Sequence, residues 1–192
     1  MKKVIMVTGN IGKYDIAKEI FGKYNIMLLQ EKIDTPEIQD NDVIEVSRYS
    51  ALYAAKKLKK CVIKSDVGYY IESLGGFPGP FLKYINGMLS SEDILKMMRG
   101  KRNRTILLKE CLTYATPKGE VKQYVNVEKA RVSLKSCGDG STFDKIVILE
   151  GDKLPKSMNS KDKNFEHFKS QLFIYDKMAK YILGEEDENS IN

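Results

Sequence analysis

A chain of 192 residues fits one large domain or two small lobes, at a soft prior of ~150 residues per domain. Hydrophobic residues at 42% with 7 Phe and 11 Tyr can build a core, which excludes global disorder, and the net charge of +6 suits phosphate-bearing ligands without requiring them. The apolar runs are too short for a transmembrane helix or a signal peptide, and three cysteines with one His point to neither a disulfide framework nor a zinc site. A soluble, reduced, cytoplasmic protein is the resulting expectation.

The elements alternate between strand and helix. Val4 to Val7 reads as a strand that ends at Thr8-Gly9-Asn10 and runs into a helix carrying Ile16, Ile20 and Phe21. Ile26 to Leu29 reads as a second strand, closed by the turn Asp34-Thr35-Pro36. Val43, Val46, Leu52, Tyr53 and Ala55 predict an amphipathic helix over 42–58. Cys61-Val62-Ile63 predicts a buried strand reaching Ser65-Asp66, and Gly75-Gly76-Phe77-Pro78-Gly79-Pro80 is expected to lack regular structure. A helix is expected over 92–98. Strands are expected over 105–115, 121–127, 129–135 and 143–149, the first two joined as a hairpin by Pro117-Lys118-Gly119. The last helix is expected over 164–183, and residues 184–192 form an acidic, frayed tail. The sum is a mixed α/β chain of two lobes, with one domain over 1–183.

Three places carry chemistry. Thr8-Gly9-Asn10-Ile11-Gly12-Lys13 lies between strand and helix, where outward backbone N–H groups and the helix dipole favour an anion. The same residues also suit an ordinary turn capped by Asn or Thr, and both readings stand. Asp66 falls at the expected end of a strand, where open α/β sheets place ligands; it could hold Mg²⁺ or orient water, or simply cap a turn. The stiff glycine-proline segment ahead of Lys83 suits a binding surface or a structural corner equally. Glu37 is a second acidic residue between elements, and a hard cation wants one or two such carboxylates plus phosphate oxygens. His167, beside Phe165 and Phe168, reads first as a packed or surface residue. The basic runs at 56–60 and 101–104 read as solvated helix ends and turns, because the aromatic interleaving of a nucleic-acid surface is missing.

Taken in order, these pieces resemble the inosine triphosphate pyrophosphatase family, which hydrolyses non-standard purine nucleoside triphosphates. Thr8-Gly9-Asn10 with Lys13 is similar to its first motif, and Pro36-Glu37-Ile38-Gln39 to its acidic second segment. Asp66-Val67-Gly68, followed by Leu74-Gly75-Gly76-Phe77-Pro78-Gly79-Pro80-Phe81-Leu82-Lys83-Tyr84, is the long and specific match. Phe143-Asp144, Glu150-Gly151, Met158 and Lys163-Asn164 continue the order, so the similarity spans about residues 3–183.

The resemblance implies an elongated, two-lobed mixed sheet with flanking helices and a central cleft. It implies Mg²⁺-dependent cleavage of a nucleoside triphosphate to NMP and pyrophosphate by a homodimer; the absence of a nucleic-acid or membrane partner is expected from the composition described above. By motif, Thr8, Asn10 and Lys13 would hold the triphosphate, and Glu37 and Asp66 would act at metal and water. Phe143, Asp144, Lys163 and His167 would lie at the base. The sequence departs from the family pattern at a phosphate-side Lys, here Ser50, and at the acid before Asp66, here Ser65. An aromatic position is Ser141, and the Ser-His-Arg triplet reads His167-Phe168-Lys169 or a shifted version of it. These departures predict a relaxed base preference. The alternative expectation is a nucleotide-binding protein that has lost most catalysis.

Overall fold

In the computed structural model, which describes residues 1–36, 38–170 and 172–185, the chain opens with β1 (Lys2–Val7). Its last four residues are all buried, the mark of an interior strand covered on both faces. Helix α1 (Ile11–Lys23) follows and returns the chain to β2 (Ile26–Glu31), which pairs with β1 in parallel. Helix α2 (Val43–Leu58) starts at Asp42, whose side chain accepts the Ile44 N–H at 3.0 Å. Its buried stripe is made of small residues, Ser47, Ser50, Ala51, Ala54 and Ala55, so the helix axis lies close against the sheet.

Three long strands form the spine. β3 (Val62–Ile71) runs antiparallel to β5 (Thr105–Ala115), which runs antiparallel to β6 (Val121–Val132). The sheet order is β2-β1-β3-β5-β6-β7, with β7 (Val147–Leu149) at one edge and the two-residue β4 (Pro78–Gly79) paired to β3. Gly76 and Gly79 take φ of +89° and +60°, a backbone region that only glycine enters without strain, and this fixes the shape of the turn before β4. Helices α3 (Leu82–Met88) and α4 (Ser91–Met97) follow, and α5 (Lys161–Ser170) and α6 (Phe173–Leu183) close the chain.

The apolar residues gather at two ends of this spine. At one end, α1 and α6 bury Phe21, Tyr175 and Met178 against Met6, Ile63 and Leu112, while α2 packs Ala51, Ala54 and Ala55 on Ile5, Val62 and Ala115 across the sheet. At the other end Tyr69, Ile71 and Ile106 pack with Ile94, Met98, Phe143 and Val147. Between the two ends β3 and β5 carry polar side chains, Lys64 to Asp66 and Lys109-Glu110. The mixed α/β fold with flanking helices is as expected, and a polar gap separates its two cores.

Several element boundaries differ from those expected. β3 does not end at Ser65-Asp66; it continues to Ile71 because β5 supplies a ladder partner at every residue, so Asp66 is mid-strand. The strands expected over 121–127 and 129–135 are one, since pairing with β5 carries the ladder through Glu128 and Lys129 despite their polarity. Of the strand expected over 143–149 only Val147–Leu149 pairs; Ile146 and Val147 donate their N–H groups to Phe143 O, which makes the earlier part a turn. The last helix is two, and α3, with no buried residue, left no apolar period to read. The C-terminal tail from residue 186 onward lies outside the described residues.

Candidate active site

The gap between the cores is also where the sheet opens. β1 pairs with β3 only at Ile5↔Val62 and Met6↔Ile63, then leaves through Thr8 into α1. From Lys64 to Gly68, β3 keeps β5 on one side and has lost β1 on the other. Strand alternation then sorts the side chains. Lys64 and Asp66 share one face, while Ser65 and Val67 share the other with Glu110, which lies directly across the ladder from Val67.

The loop that leaves β1 is tightly built. Thr8 Oγ1 accepts the Asn10 N–H at 3.0 Å, and Asn10 Oδ1 accepts the Lys13 N–H at 3.0 Å as the N-cap of α1. Asn10 thus fills the capping role directly, and any phosphate held here meets backbone N–H groups and the helix dipole. Replacing Asn10 with Ala should lower stability by about 1 kcal/mol in urea denaturation, the usual cost of losing such a cap.

Lys13 projects from the first turn of α1 to the exposed side of β3. Its ammonium donates to Ser65 Oγ at 3.1 Å and lies 3.4 Å from Glu110 Oε1. Ser65 Oγ donates to the same Glu110 oxygen at 2.5 Å, and the Tyr175 hydroxyl of α6 donates to it at 3.1 Å. Burial, with the Glu110 charge behind it, pushes the Tyr175 hydroxyl well above its ordinary value, so it remains a donor.

On the opposite face Asp66 Oδ1 accepts from Lys64 Nζ at 2.7 Å. Asp66 Oδ2 is buried with no hydrogen-bond partner among the described residues, and so is Asn86 Oδ1 of α3. Both residues border one cavity of about 490 Å³, together with Lys13 and Lys83. Two buried acceptor oxygens without donors are costly unless something positive or protic meets them. A carboxylate and an amide oxygen are the donor types of a hard divalent cation, so these residues fit Mg²⁺. Among the described residues no group of three or more His, Cys, Asp or Glu is placed to hold a metal, so phosphate oxygens and water would complete its coordination. Glu37 lies outside the described residues.

At the far end of the gap a cavity of about 620 Å³ is bordered by Tyr69, Asp144, Lys156, Asn159, Asn164 and His167. Asp144 Oδ2 accepts from the Ser141 hydroxyl at 2.6 Å, and Oδ1 lies 3.3 Å from the Lys156 ammonium. Burial opposes the Asp144 charge, but Ser141 and Lys156 outweigh it and hold the carboxyl below its usual range. Lys156 also donates to the Tyr69 hydroxyl at 3.3 Å. Burial works against its charge too, but its contacts with Tyr69 and Asp144 leave it raised. His167 Nε2 stands 3.0 Å from Glu128 Oε2 on this cavity's wall.

Two base-side expectations are corrected. Phe143 is 1% exposed and packs edge-on to Tyr69 at 5.7 Å between ring centres, so its face is spent inside the core. Lys163 is bound to Asp152 and is absent from the cavity wall, where Lys161 and Asn164 stand instead. Ser50 sits buried on the packed side of α2 and donates to Ser47 O, away from any phosphate.

The Asp144 cavity shares Lys13 and Val67 with the Asp66 cavity, and that one shares Ser65 and Lys83 with a third of about 660 Å³. The third is bordered by Thr8, Gly9, Lys32, Lys64 and Lys83. The three adjoin one another through these shared walls, with lysines at one end and a mixed polar wall at the other. Glu110, Lys64, Lys156, Glu128 and Asn86 were not singled out from sequence. Only Glu110 left a signal there, as an acid inside the apolar run from Ile106 to Leu112.

The sequence model of the Ham1 family matches residues 4–170. The dITP/XTP pyrophosphatase of Methanopyrus kandleri is 36% identical over 151 residues, covering 78% of this chain and 80% of that protein. The dITP/XTP pyrophosphatase of Methanosarcina acetivorans is 32% identical, covering 79% and 83%. In fold the chain is similar to the Staphylococcus aureus Ham1 protein, with a TM-score of 0.78 at 21% identity over 96% of this chain and all of that one. The Mycobacterium abscessus nucleoside-triphosphatase / dITP/XTP pyrophosphatase gives 0.76 at 14% identity, over 88% of this chain and 94% of that one. The order of motifs along the sequence, the fold and these matches agree, and the chain belongs to the Ham1 family.

Proposed function

We propose that this protein is a Mg²⁺-dependent pyrophosphatase that converts purine nucleoside triphosphates to NMP and pyrophosphate, with a relaxed preference for 6-oxo bases. The single observation that carries this reading is the row of three adjoining cavities, which offers lysines and a helix N-terminus at one end and a cavity of base size at the other, with Asp66 between. The names of the relatives point the same way. A protein that binds nucleotide without cleaving it is the second reading. Ser50 and Ser65 favour it, and the retention of Glu37, Asp66 and Lys13 together argues against it.

In this reading Thr8 and the first turn of α1 receive the terminal phosphates, with Lys13, Lys64 and Lys83 around them. Asp66 orients a water for in-line attack on the α-phosphorus; the bond from that phosphorus to the bridging oxygen breaks, and pyrophosphate leaves toward the lysines. A bound Mg²⁺ would neutralise phosphate charge and acidify the attacking water, held by Asp66, Asn86 and, by motif, Glu37. The proposed assembly is a homodimer, as the resemblance implies, and its proposed compartment is the cytoplasm, as the composition and cysteine usage lead one to expect.

Pyrophosphate release from ITP, XTP, dITP, ATP and GTP with Mg²⁺ tests the reading. Activity should appear with Mg²⁺ and vanish in EDTA, and no activity on any nucleotide would leave the binding protein as the answer. For the base, the polar wall formed by Asp144, Lys156 and the His167–Glu128 pair has no stacking ring from Phe143. The kcat/KM ratio of ITP over ATP is therefore expected below ~10³, since strong discrimination needs a set of edge-specific hydrogen bonds. A larger ratio would defeat the relaxed preference alone.

A further inference from the structure

The buried carboxylate of Glu110 has no part in the chemistry outlined above, yet it sits at its centre. It is 6% exposed, lies on β5 with buried Leu108 and Leu112 two residues away on either side of the same strand face, and borders the Asp144 cavity. Three donors converge on its Oε1, from Ser65 of β3, Tyr175 of α6 and Lys13 of α1. A carboxylate in such a place is destabilising unless its partners compensate it, and breaking a compensated set is costly. Ser65 and Tyr175 fix the oxygen from two different elements, so it cannot follow Lys13 if the lysine moves. Lys13 is the mobile member, a long side chain whose ammonium has three donors. Two of them meet Ser65 and Glu110, and Lys13 borders both the Asp144 cavity and the Asp66 cavity.

We propose that Glu110 is a positioning residue, which holds the Lys13 ammonium at the junction of the two cavities so that its remaining N–H is aimed at the triphosphate. Ser65 is the relay in this arrangement, accepting from Lys13 and donating to Glu110. Tyr175 ties the anchor to the C-terminal helix, so the phosphate-binding side chain is set by three elements rather than one. Glu110 and Asp66 are then carboxylates of different duty on opposite faces of the same ladder, Asp66 toward water and cation, Glu110 toward the lysine. The inference rests on the pyrophosphatase reading for its catalytic consequence, but the coupling of Glu110 to Lys13 does not.

The test is E110Q, which keeps an acceptor for Ser65 and Tyr175 and removes the charge that holds Lys13. With ITP and Mg²⁺ the variant should lose ~10-fold or more in kcat with KM unchanged or lower, since a lysine freed from its anchor still binds phosphate but no longer stands where the transition state needs it. Its Tm should stay close to that of the parent, and in a Lys13→Met background the same change should cost nothing further in kcat. An equal loss in both backgrounds, or an unchanged kcat, overturns the proposal. If E110Q does not fold, Tyr175→Phe and Ser65→Ala, which leave the charge and loosen its anchor, should each lower kcat ~2–5-fold with KM steady, and no change in either overturns it. If the parent cleaves no nucleotide, the pyrophosphatase reading fails by itself. The coupling is then read by calorimetry with inorganic tripolyphosphate: the affinity lost on Lys13→Met should differ at least three-fold between the parent and E110Q, and equal losses overturn the proposal.

Discussion

Asp66→Asn should lower kcat for ITP by a factor of ~10² or more while the protein stays folded, because the change removes a charge and almost no volume. The structure explains why stability should survive. Asn keeps an oxygen for the Lys64 ammonium that Asp66 Oδ1 now meets at 2.7 Å. The other position, a buried carboxylate oxygen with no donor among the described residues, becomes an amide NH₂. Losing half of a partly buried ion pair is unfavourable, and relieving an orphaned charged acceptor is favourable, so the balance in urea unfolding should be within about 1 kcal/mol. Activity and stability therefore part company at this residue. A variant with near-parental turnover would reduce Asp66 to the partner of Lys64.

Phe143→Ala should do the reverse, costing about 3–5 kcal/mol of stability, the range for emptying a packed aromatic position in a core. Phe143 lies among Tyr69, Ile94, Ile146 and Val147, and its edge-on contact with Tyr69 adds to the burial. Denaturant titration gives the stability, and steady-state kinetics on the folded fraction gives the rest. KM for the nucleotide should change less than stability does, because the ring has no open face. A large rise in KM with no loss of stability would restore Phe143 to the base. An indirect effect through Asp144, the next residue and part of the cavity wall, is expected to be small beside the loss of packing.

How far the sequence could be read follows from what each residue reports. β1, α1 and α2 were legible because apolar periodicity and capping residues are local signals, and Asp42 and Asn10 cap where such residues should. The continuation of β3 past Asp66 and the middle of β6 were not, because Val67 to Ile71 and Glu128-Lys129 are held by ladder partners far along the chain, which a window of residues cannot reveal. Within the candidate site, Thr8, Asn10, Lys13 and Asp66 were named by motif, and the structure brings Lys13 to Ser65 and Glu110 and leaves Asp66 one face away. Glu37 lies outside the described residues. Phe143 was misassigned because an aromatic beside an acid looks the same in sequence whether its ring faces a ligand or a core. Glu110 and Lys156 depend on which side of a strand or turn they emerge from, and their partners are 97 and 12 residues away, at Lys13 and Asp144.

The spine of the molecule has a mechanical consequence. β5 is hydrogen-bonded along its length to β3 on one side and to β6 on the other, and the same three strands pass beneath both cores. Proteins that clamp a ligand between domains usually do so by rotating about a few loop residues, which here would mean bending a continuous double ladder. The separation of the two walls is accordingly set by the coiling of the sheet, and a continuous ladder of this kind is expected to resist a hinge closure when a ligand arrives. Little ordering is then left to be done on binding at the level of the backbone, and the side chains free to adjust are the long lysines that border the cavities, Lys13, Lys64 and Lys83.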